Sequence, residues 1–446
     1  MGRFRTGASG LNLDRFEGYV ESLTHDGRGV TKPDGKVWFI DSAIPGETVT
    51  FVKTGNRKAY GLGRVEQVLV PSPDRVVPAC PYFGQCGGCS LQHLDANAQL
   101  RFKEQLLVQQ MNKIGGVDVG ALKSSIKGPP WGYRRKARLG VRLVPKKGGI
   151  LVGFREKRNS YITNLDNCMT LDHRIARLLP SLNSLINSLS IREKVPQIEV
   201  AAGDRDIALV LRHLKAFSTR DQEVLVNYGQ SNRIQCYLQP GGTDSIWCLT
   251  PTEVPMLEYG LENGKIKIQF SPTDFTQVNH RVNQLMVEAA VEELEPGGQD
   301  RILDLFCGVG NFSLPLAKRV AEVHGVENVP ALVDRGMKNA KLNDISNANF
   351  EIRDLYASSL RDWDPGRVDK LLIDPPRSGA FEVATWLVPR LTPQLIVYVS
   401  CNPATLARDS RILITRSGYR LRSLRAVDMF PHTAHMEALA VFELSR

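Results

Sequence analysis

The sequence predicts an α/β protein in three parts. These are a small N-terminal β-barrel, a central α+β domain, and a C-terminal doubly wound domain with a mostly parallel sheet. Three observations carry this. From Phe270 onward apolar runs alternate with helical stretches, with strands expected near 302–306, 323–327, 350–353, 370–374 and 395–400. Strands alternating with helices build a parallel sheet covered on both faces. Between Gly18 and Val70 five short β-type runs crowd together (GYVESL, DGRGV, KVWFI, ETVTFVK and YGLGRVEQVLV). That is the pattern of a barrel similar in kind to an oligonucleotide-binding barrel. At 446 residues the chain also exceeds what one core usually accommodates.

In chain order, residues 1–10 are polar and glycine-rich and are expected to be disordered. The barrel takes 12–71, with Asp34-Gly35 as a hairpin turn, and Pro71-Ser72-Pro73-Asp74 marks the linker that ends it. The central domain comes in two pieces, 72–94 and 125–269. The first piece holds Cys80, Cys86 and Cys89 in a Cys-x5-Cys-x2-Cys element, and Cys168 in the second is a fourth candidate. Four thiolates can hold a tetrahedral zinc or an iron–sulfur cluster. Zinc knuckles usually come as two CxxC pairs, so the single pair here favours a cluster. Residues 95–124 open with a helix that ends at Gly115-Gly116 and is expected to pack on the C-terminal domain. Alternating runs between 125 and 270, among them ARLGVRLV, DIALVLRHL and KIKIQFS, predict an antiparallel sheet with one helix near 172–190. The C-terminal domain takes 270–446.

Composition is that of a globular protein, 42% hydrophobic and 23% charged. No apolar run approaches the ~20 residues of a membrane helix, and MGRFRTGASG has no hydrophobic segment of a signal peptide. No membrane partner, a cytoplasmic location and a monomer are therefore expected. Eight cysteines in so long a chain do not suggest a disulfide scaffold. The net charge is +10, and Trp131–Arg158 alone carries ten Lys/Arg against one acid, Glu156. Most charge runs are solvated faces. Here Trp131, Tyr133 and Phe154 are interleaved with the bases, as a surface gripping phosphates and stacking bases needs.

The chemistry-bearing stretches lie at the expected strand ends. LIVYVS reads as a buried parallel strand that Asn402-Pro403 forbids to continue, leaving Cys401 at its carboxyl end. Open α/β sheets bind ligands there, so this is a good place for a nucleophile. Asp304-Leu305-Phe306-Cys307-Gly308-Val309-Gly310-Asn311 closes the first strand, and its glycines let the backbone approach a ligand at a helix N-terminus. Glu327 ends the second strand, where an acid can accept both hydroxyls of a ribose. Asp354 ends the third and Asp374-Pro375-Pro376-Arg377 the fourth. Each acid alone reads as a helix cap or a loop charge. As an ordered set they look like a Rossmann-like class I S-adenosylmethionine methyltransferase. Cys307, inside the glycine loop, reads as a small packing residue. His432, His435 and Glu437 are close enough in sequence to be metal ligands, but structural roles or RNA contacts are preferred.

FSPTDFTQVN (270–279), DLFCGVGNFSLPLA (304–317), DPPRSG (374–379), SCNPATLARD (400–409) and DMFPHTAHMEALA (428–440) together resemble the motifs of the uracil-C5 RNA methyltransferase family. The N-terminal barrel resembles its TRAM domain. The resemblance covers nearly the whole chain from about Gly18. It implies S-adenosylmethionine as methyl donor, held by Gln277, Phe306, Asn311, Glu327, Asp354 and Asp374. It implies Cys401 as the nucleophile that adds to C6 of uracil, and Glu437 as the base that removes the C5 proton. Phe275 becomes a stacking partner of a flipped base, with Arg134 and Arg135 as further substrate contacts. Cys80, Cys86, Cys89 and Cys168 become the ligands of a [4Fe-4S] cluster. Barrel and cluster together point to members that methylate 23S rRNA at uridine 1939. Another rRNA or tRNA uridine remains open, as do a non-catalytic RNA-binding or ribosome assembly factor and an iron–sulfur redox enzyme acting on nucleic acid.

Overall fold

The computed structural model describes residues 14–249 and 256–445. The leader expected to be disordered lies outside them. The chain forms two compact units. Of the described residues, one comprises those up to Gly84 with Cys89–Phe102 and His432–Ala434; the other comprises Gln85–Gly88, those between Lys103 and Pro431, and those from His435.

The first unit is built on β1 (Arg15–Tyr19), β2 (Ser22–Leu23), β3 (Gly29–Thr31), β4 (Val37–Asp41), β5 (Thr48–Asn56) and β6 (Tyr60–Val70). They form one sheet in the order β1-β5-β6-β4-β3-β2. Its two outer strands, β1 and β2, are thus consecutive in the chain. Alternation on β4 turns Trp38 and Ile40 inward, onto Val20, Val49 and Phe51. At the expected hairpin, Asp34 (φ 53, ψ 30) and Gly35 (φ 77) both take left-handed backbone. A turn of that hand matches the twist of the flanking strands.

The main run of the second unit begins at Lys103, within α1 (Ala96–Gln110). A π-helical turn, Met111–Gly115, continues it and Gly116 (φ 62) ends it. Leu107 and Met111 bury against Leu303, Leu371 and Tyr398 of the C-terminal sheet. The central strands are β7 (Lys136–Val144), β8 (Gly149–Gly153), β9 (Gln197–Ala202), β10 (Ile207–Arg212), β11 (Gln235–Gln239) and β12 (Trp247–Cys248), ordered β12-β11-β10-β9-β7-β8. Helices α2 (His173–Ala176) and α3 (Leu179–Ser188) fill the expected helical region.

The expected all-antiparallel sheet is corrected in two places. β10 and β11 run parallel, because a second helix, α4 (Thr219–Asn232), crosses between them. Its start is a capping box: Ser218 Oγ accepts from the Asp221 N–H (3.2 Å), and Asp221 Oδ2 accepts from the Ser218 N–H (3.1 Å). The 265–271 run does not join the sheet. It forms β14 (Ile266–Phe270), paired among the described residues only with β13 (Leu257–Leu261). Ile266, Ile268 and Phe270 are buried with Met286 and Phe312 of the C-terminal region.

That region runs α5 (His280–Leu294), β15 (Arg301–Leu305), α6 (Ser313–Ala317), β16 (Glu322–Glu327), α7 (Pro330–Leu342), β17 (Ala348–Ile352), β18 (Lys370–Ile373), α8 (Val388–Leu391), β19 (Leu395–Ser400), α9 (Pro403–Ser417), β20 (Tyr419–Val427) and β21 (Glu437–Leu444). The sheet order is β17-β16-β15-β18-β19-β21-β20. The first five strands are parallel, and β21 enters antiparallel beside β19. Side chains divide by parity: Ile302, Leu372, Val397 and Val399 fill one core, and Leu303, Leu305, Leu371, Ile373, Ile396 and Tyr398 the other. Burial on both faces is why LIVYVS is apolar at nearly every position. The order reverses direction at β15, between β16 and β18, which opens a crevice at the carboxyl ends of the strands.

Candidate active site

Cys401 is set by the chain's exit from β19. Asn402 caps α9, its Oδ1 accepting from the Ala404 N–H (3.2 Å), and Pro403 occupies the first helical turn. Antiparallel pairing of Val399 with Leu439 and Ser400 with Ala438 ends the ladder, and Cys401 and Glu437 are the next residue of each chain segment beyond that last pair. The two lie 36 positions apart in sequence. Glu437 is 3% exposed, and its Oε2 has no hydrogen-bond partner. Burial pushes its carboxyl up to about 8. The Cys401 thiol is pushed up to about 11 by burial and by the Glu437 and Asp374 carboxyls, against the pull of the Arg377 guanidinium. Asp374, at the end of β18, is held well above the usual carboxylate range by burial and then by Glu437 and Asp304.

The neighbouring strand ends form a second group. Phe306 holds left-handed backbone (φ 64), an uncommon and costly conformation for a bulky side chain, ahead of Gly308 (φ 55) and Gly310 (φ 94). Phe306 and Cys307 donate their N–H groups to the Val326 carbonyl (2.9 and 3.1 Å). Glu327 Oε2 accepts from the Gly308 N–H (3.2 Å), while Oε1 accepts from Asn328 and Val329 N–H (2.8 and 3.1 Å). A methyl group added at Gly308 would meet no atom within 4 Å, so the loop presents bare backbone to open space. Asp304, fully buried and bonded to the Ser313 hydroxyl, is raised to about 7 by burial. Cys307 is 4% exposed and its thiol is pushed well up by burial, as a packing residue.

One cavity of about 510 Å³ joins the two groups. Of the residues expected from sequence, Phe275, Gln277, Phe306, Asn311, Glu327, Asp374, Cys401 and Glu437 line it. Phe275 is 71% exposed, a ring free to stack. Asn311 is already engaged: its amide exchanges hydrogen bonds with Asn283 (3.0 Å each) and accepts from the Tyr259 hydroxyl (2.9 Å).

Three expected residues do not line the cavity. Asp354 caps the next turn, accepting from the Tyr356 N–H (2.9 Å). The Arg134 guanidinium donates to the Lys136 carbonyl (3.0 Å), and Arg135 pairs with Asp204 (2.5 Å). Both arginines nevertheless adjoin the Phe275 segment through backbone, since the Arg135 N–H donates to the Val278 carbonyl (2.8 Å) and Arg134 bridges Asn279. Tyr259, Tyr356, Arg377, Phe430 and His435 also line the cavity. The two tyrosines stand outside any motif, so no local signal could have found them.

The four cysteines expected at a cluster divide between the units, Cys80 and Cys89 in the first, Cys86 and Cys168 in the second. His432 falls in the first, His435 and Glu437 in the second. Among the described residues no three His, Cys, Asp or Glu side chains converge as a metal group. None of the eight cysteines is in a disulfide, and among the described residues no helix is long and apolar enough to cross a membrane.

A parallel sheet reversing at β15, an antiparallel β21 beside β19, and a glycine loop on the first strand define a class I methyltransferase fold. The profile of the family described as tRNA (uracil-5-)-methyltransferase matches residues 95–444, and the chain belongs to that family. It is 50% identical over 439 residues to the Nitrosococcus oceani 23S rRNA (uracil(1939)-C(5))-methyltransferase, covering 98% of each chain. The Alkalilimnicola ehrlichii protein of the same name is 46% identical over 436 residues, covering 97% of each. Among solved structures, Pyrococcus abyssi tRNA (uracil-54, C5)-methyltransferase in complex with S-adenosyl-L-homocysteine shares the fold. Its TM-score is 0.72 at 23% identity, covering 96% of this chain and 100% of that one.

Proposed function

We propose that this protein is an enzyme that transfers a methyl group from S-adenosylmethionine to C5 of a uridine in 23S rRNA, at position 1939. The observation that carries the reading is the β19–β21 register, which brings a thiol and a buried carboxyl to one edge of one cavity. C5 of uracil is too weak a nucleophile to take a methyl group unaided. The Cys401 thiol gives up its proton to solvent, its thiolate sulfur adds to C6, and the C5–C6 electron pair moves toward the C4 oxygen as an enolate. C5 is then nucleophilic. S-adenosylmethionine, when bound, would supply an electrophilic methyl group, which C5 takes as the sulfonium S–CH3 bond breaks and S-adenosylhomocysteine is left. Glu437 takes the C5 proton, the C5–C6 double bond re-forms, and the C6–S bond breaks to release Cys401. The bare backbone at Gly308 and the acid at Glu327 fit a nucleoside-bearing cofactor, with Gln277, Phe306 and Asn311 around it. Asp374 stands between cofactor and base. Phe275 stacks on a uridine flipped out of its strand.

The remaining parts serve RNA. Residues 12–71 act as a TRAM-type barrel whose sheet ends on consecutive strands. Residues 72–94 and 125–269 form the central domain, 95–124 brace the catalytic domain, and 270–446 carry catalysis. Arg134 and Arg135 serve the substrate by supporting the Phe275 segment. The enzyme works as a cytoplasmic monomer. A [4Fe-4S] cluster on Cys80, Cys86, Cys89 and Cys168 rests on cysteine spacing and family resemblance. The described residues do not by themselves gather these thiols, and no step of methyl transfer runs through the cluster. Iron and sulfide analysis of an anaerobic preparation tests it; colourless protein with stoichiometric zinc would contradict it.

The test of the activity is incubation with tritium-methyl cofactor and a 23S transcript. Labelled 5-methyluridine that vanishes in Cys401→Ala supports the reading, and unchanged labelling in that variant defeats it. A transfer RNA transcript belongs in the same experiment, because the family description and the Pyrococcus abyssi protein both name tRNA.

A further inference from the structure

The turn that follows Asp374 is held from two sides. On one side stands α9: Arg408 Nη2 donates to the Ser378 carbonyl (2.9 Å), and Asn402 Nδ2 donates to the Arg377 carbonyl (3.0 Å). Asp409, fully buried, accepts from the Ala380 N–H and the Tyr398 hydroxyl (2.8 Å each) through Oδ2, and from Arg408 Nε (2.8 Å) through Oδ1. The fit is close enough to require glycine at 379. Its φ is 79, and a methyl group there would lie 2.6 Å from Arg408 Nη2 and 2.7 Å from Asp409 Oδ2. On the other side stands Tyr356. Its hydroxyl donates to the Gly379 carbonyl (2.9 Å) and accepts from the Ser378 hydroxyl (2.8 Å). Its ring lines the cavity and lies 5.7 Å from the ring of Phe306.

We infer that Tyr356 is a positioning residue, whose ring walls the cofactor end of the cavity and whose hydroxyl clamps the Ser378–Gly379 turn against α9, so that Asp374 and Arg377 are held at Cys401. The inference rests on the methyl-transfer reading above. Asp374 and Arg377 stand at the two ends of a Pro375-Pro376 link. Proline fixes φ, so a shift of the turn is passed to both rather than absorbed between them. The neighbours of the turn on one side are the helix that follows the nucleophile, and on the other a residue of the cofactor wall. Small losses of alignment at such a centre cost rate more than binding.

The ring and the hydroxyl are separable. Tyr356→Phe keeps the wall and removes the clamp. Its kcat is expected to fall about tenfold, with the cofactor KM and calorimetric binding of S-adenosylhomocysteine within twofold of wild type, and with Tm unchanged within about 2 °C. Tyr356→Leu removes both, and is expected to weaken S-adenosylhomocysteine binding as well. Asp409→Asn, which keeps an acceptor for the Ala380 N–H but loses the charge facing Arg408, is expected to resemble Tyr356→Phe in kcat. Wild-type protein that binds the cofactor and methylates no RNA would defeat the functional reading itself. An active wild type with unchanged kcat in Tyr356→Phe, or with the loss confined to KM, overturns the positioning role. A Tm lowered in step with activity does so too.

Discussion

Two buried glutamates of the C-terminal region meet opposite fates. Glu293, on α5, is 7% exposed and is caught between Lys123 (2.7 Å) and Arg425, with the Ser423 hydroxyl at 3.2 Å. Burial pushes its carboxyl up, but Lys123 and Arg425 outweigh that and hold it below the usual range. Glu437, on β21, is 3% exposed, has one unpartnered oxygen, and rises to about 8. A buried charge that is paired belongs to the architecture; one left without a cation costs stability and is kept where chemistry needs a base. In the basic stretch, Arg135 pairs with Asp204 and Arg138 with Glu199.

The comparison breaks first at the nucleophile. Cys401→Ala is expected to abolish 5-methyluridine formation, a loss of at least ~10⁴-fold in a radiolabel assay. Next, Glu437→Gln should stop turnover yet still form the adduct, seen as RNA that co-migrates with protein on a denaturing gel. The same variant should be more stable than wild type at alkaline pH. The folded carboxyl titrates near 8, above its unfolded value of 4.5. Its contribution is intact below 4.5 and is lost as pH rises through 8, on the order of 5 kcal/mol. Glutamine escapes that loss, so the two melting curves should separate with pH; curves that stay parallel would refute the buried, cation-free carboxylate. Glu293→Gln should do the reverse, lowering stability by about 2–4 kcal/mol at pH 7 by unpairing Arg425 and Lys123, with specific activity of the folded fraction unchanged.

Activity itself should rise with pH through about 8, because only the ionised carboxylate accepts the C5 proton, and should keep rising as the thiol nears about 11. A rate flat from pH 6 to 9 would mean that neither group limits the reaction. The smallest effect is expected at Arg135→Gln: about 1 kcal/mol of stability from the half-exposed pair with Asp204, and a modest change in KM for RNA through the Phe275 segment. A large loss of RNA affinity with unchanged stability would instead place Arg135 on the nucleic acid.

Much of the C-terminal sheet was legible. The strands start and stop within about two residues of expectation, because apolar runs closed by Asn-Pro, Asp-Pro or a glycine loop signal themselves locally. Helix α4 was hidden because its residues are mostly polar and its signal was a cap, Ser218-x-x-Asp221, rather than a stripe. The run that forms β14 was assigned to the wrong sheet because alternation shows that a strand has a buried face without showing which neighbour buries it.

The sequence by itself determined the parallel sheet, the helix running to Gly115-Gly116, and a cysteine at the end of a buried strand. All three follow from the periodicity and chain-stopping chemistry of nearby residues. Only the tertiary structure decided that β21 enters antiparallel, that its register brings Glu437 and Cys401 to the same end of the ladder, and that Tyr356 reaches the turn after Asp374. Those are pairings between segments far apart in the chain. Hydrogen-bond register and burial select them after the strands exist, and no local pattern of residues encodes them.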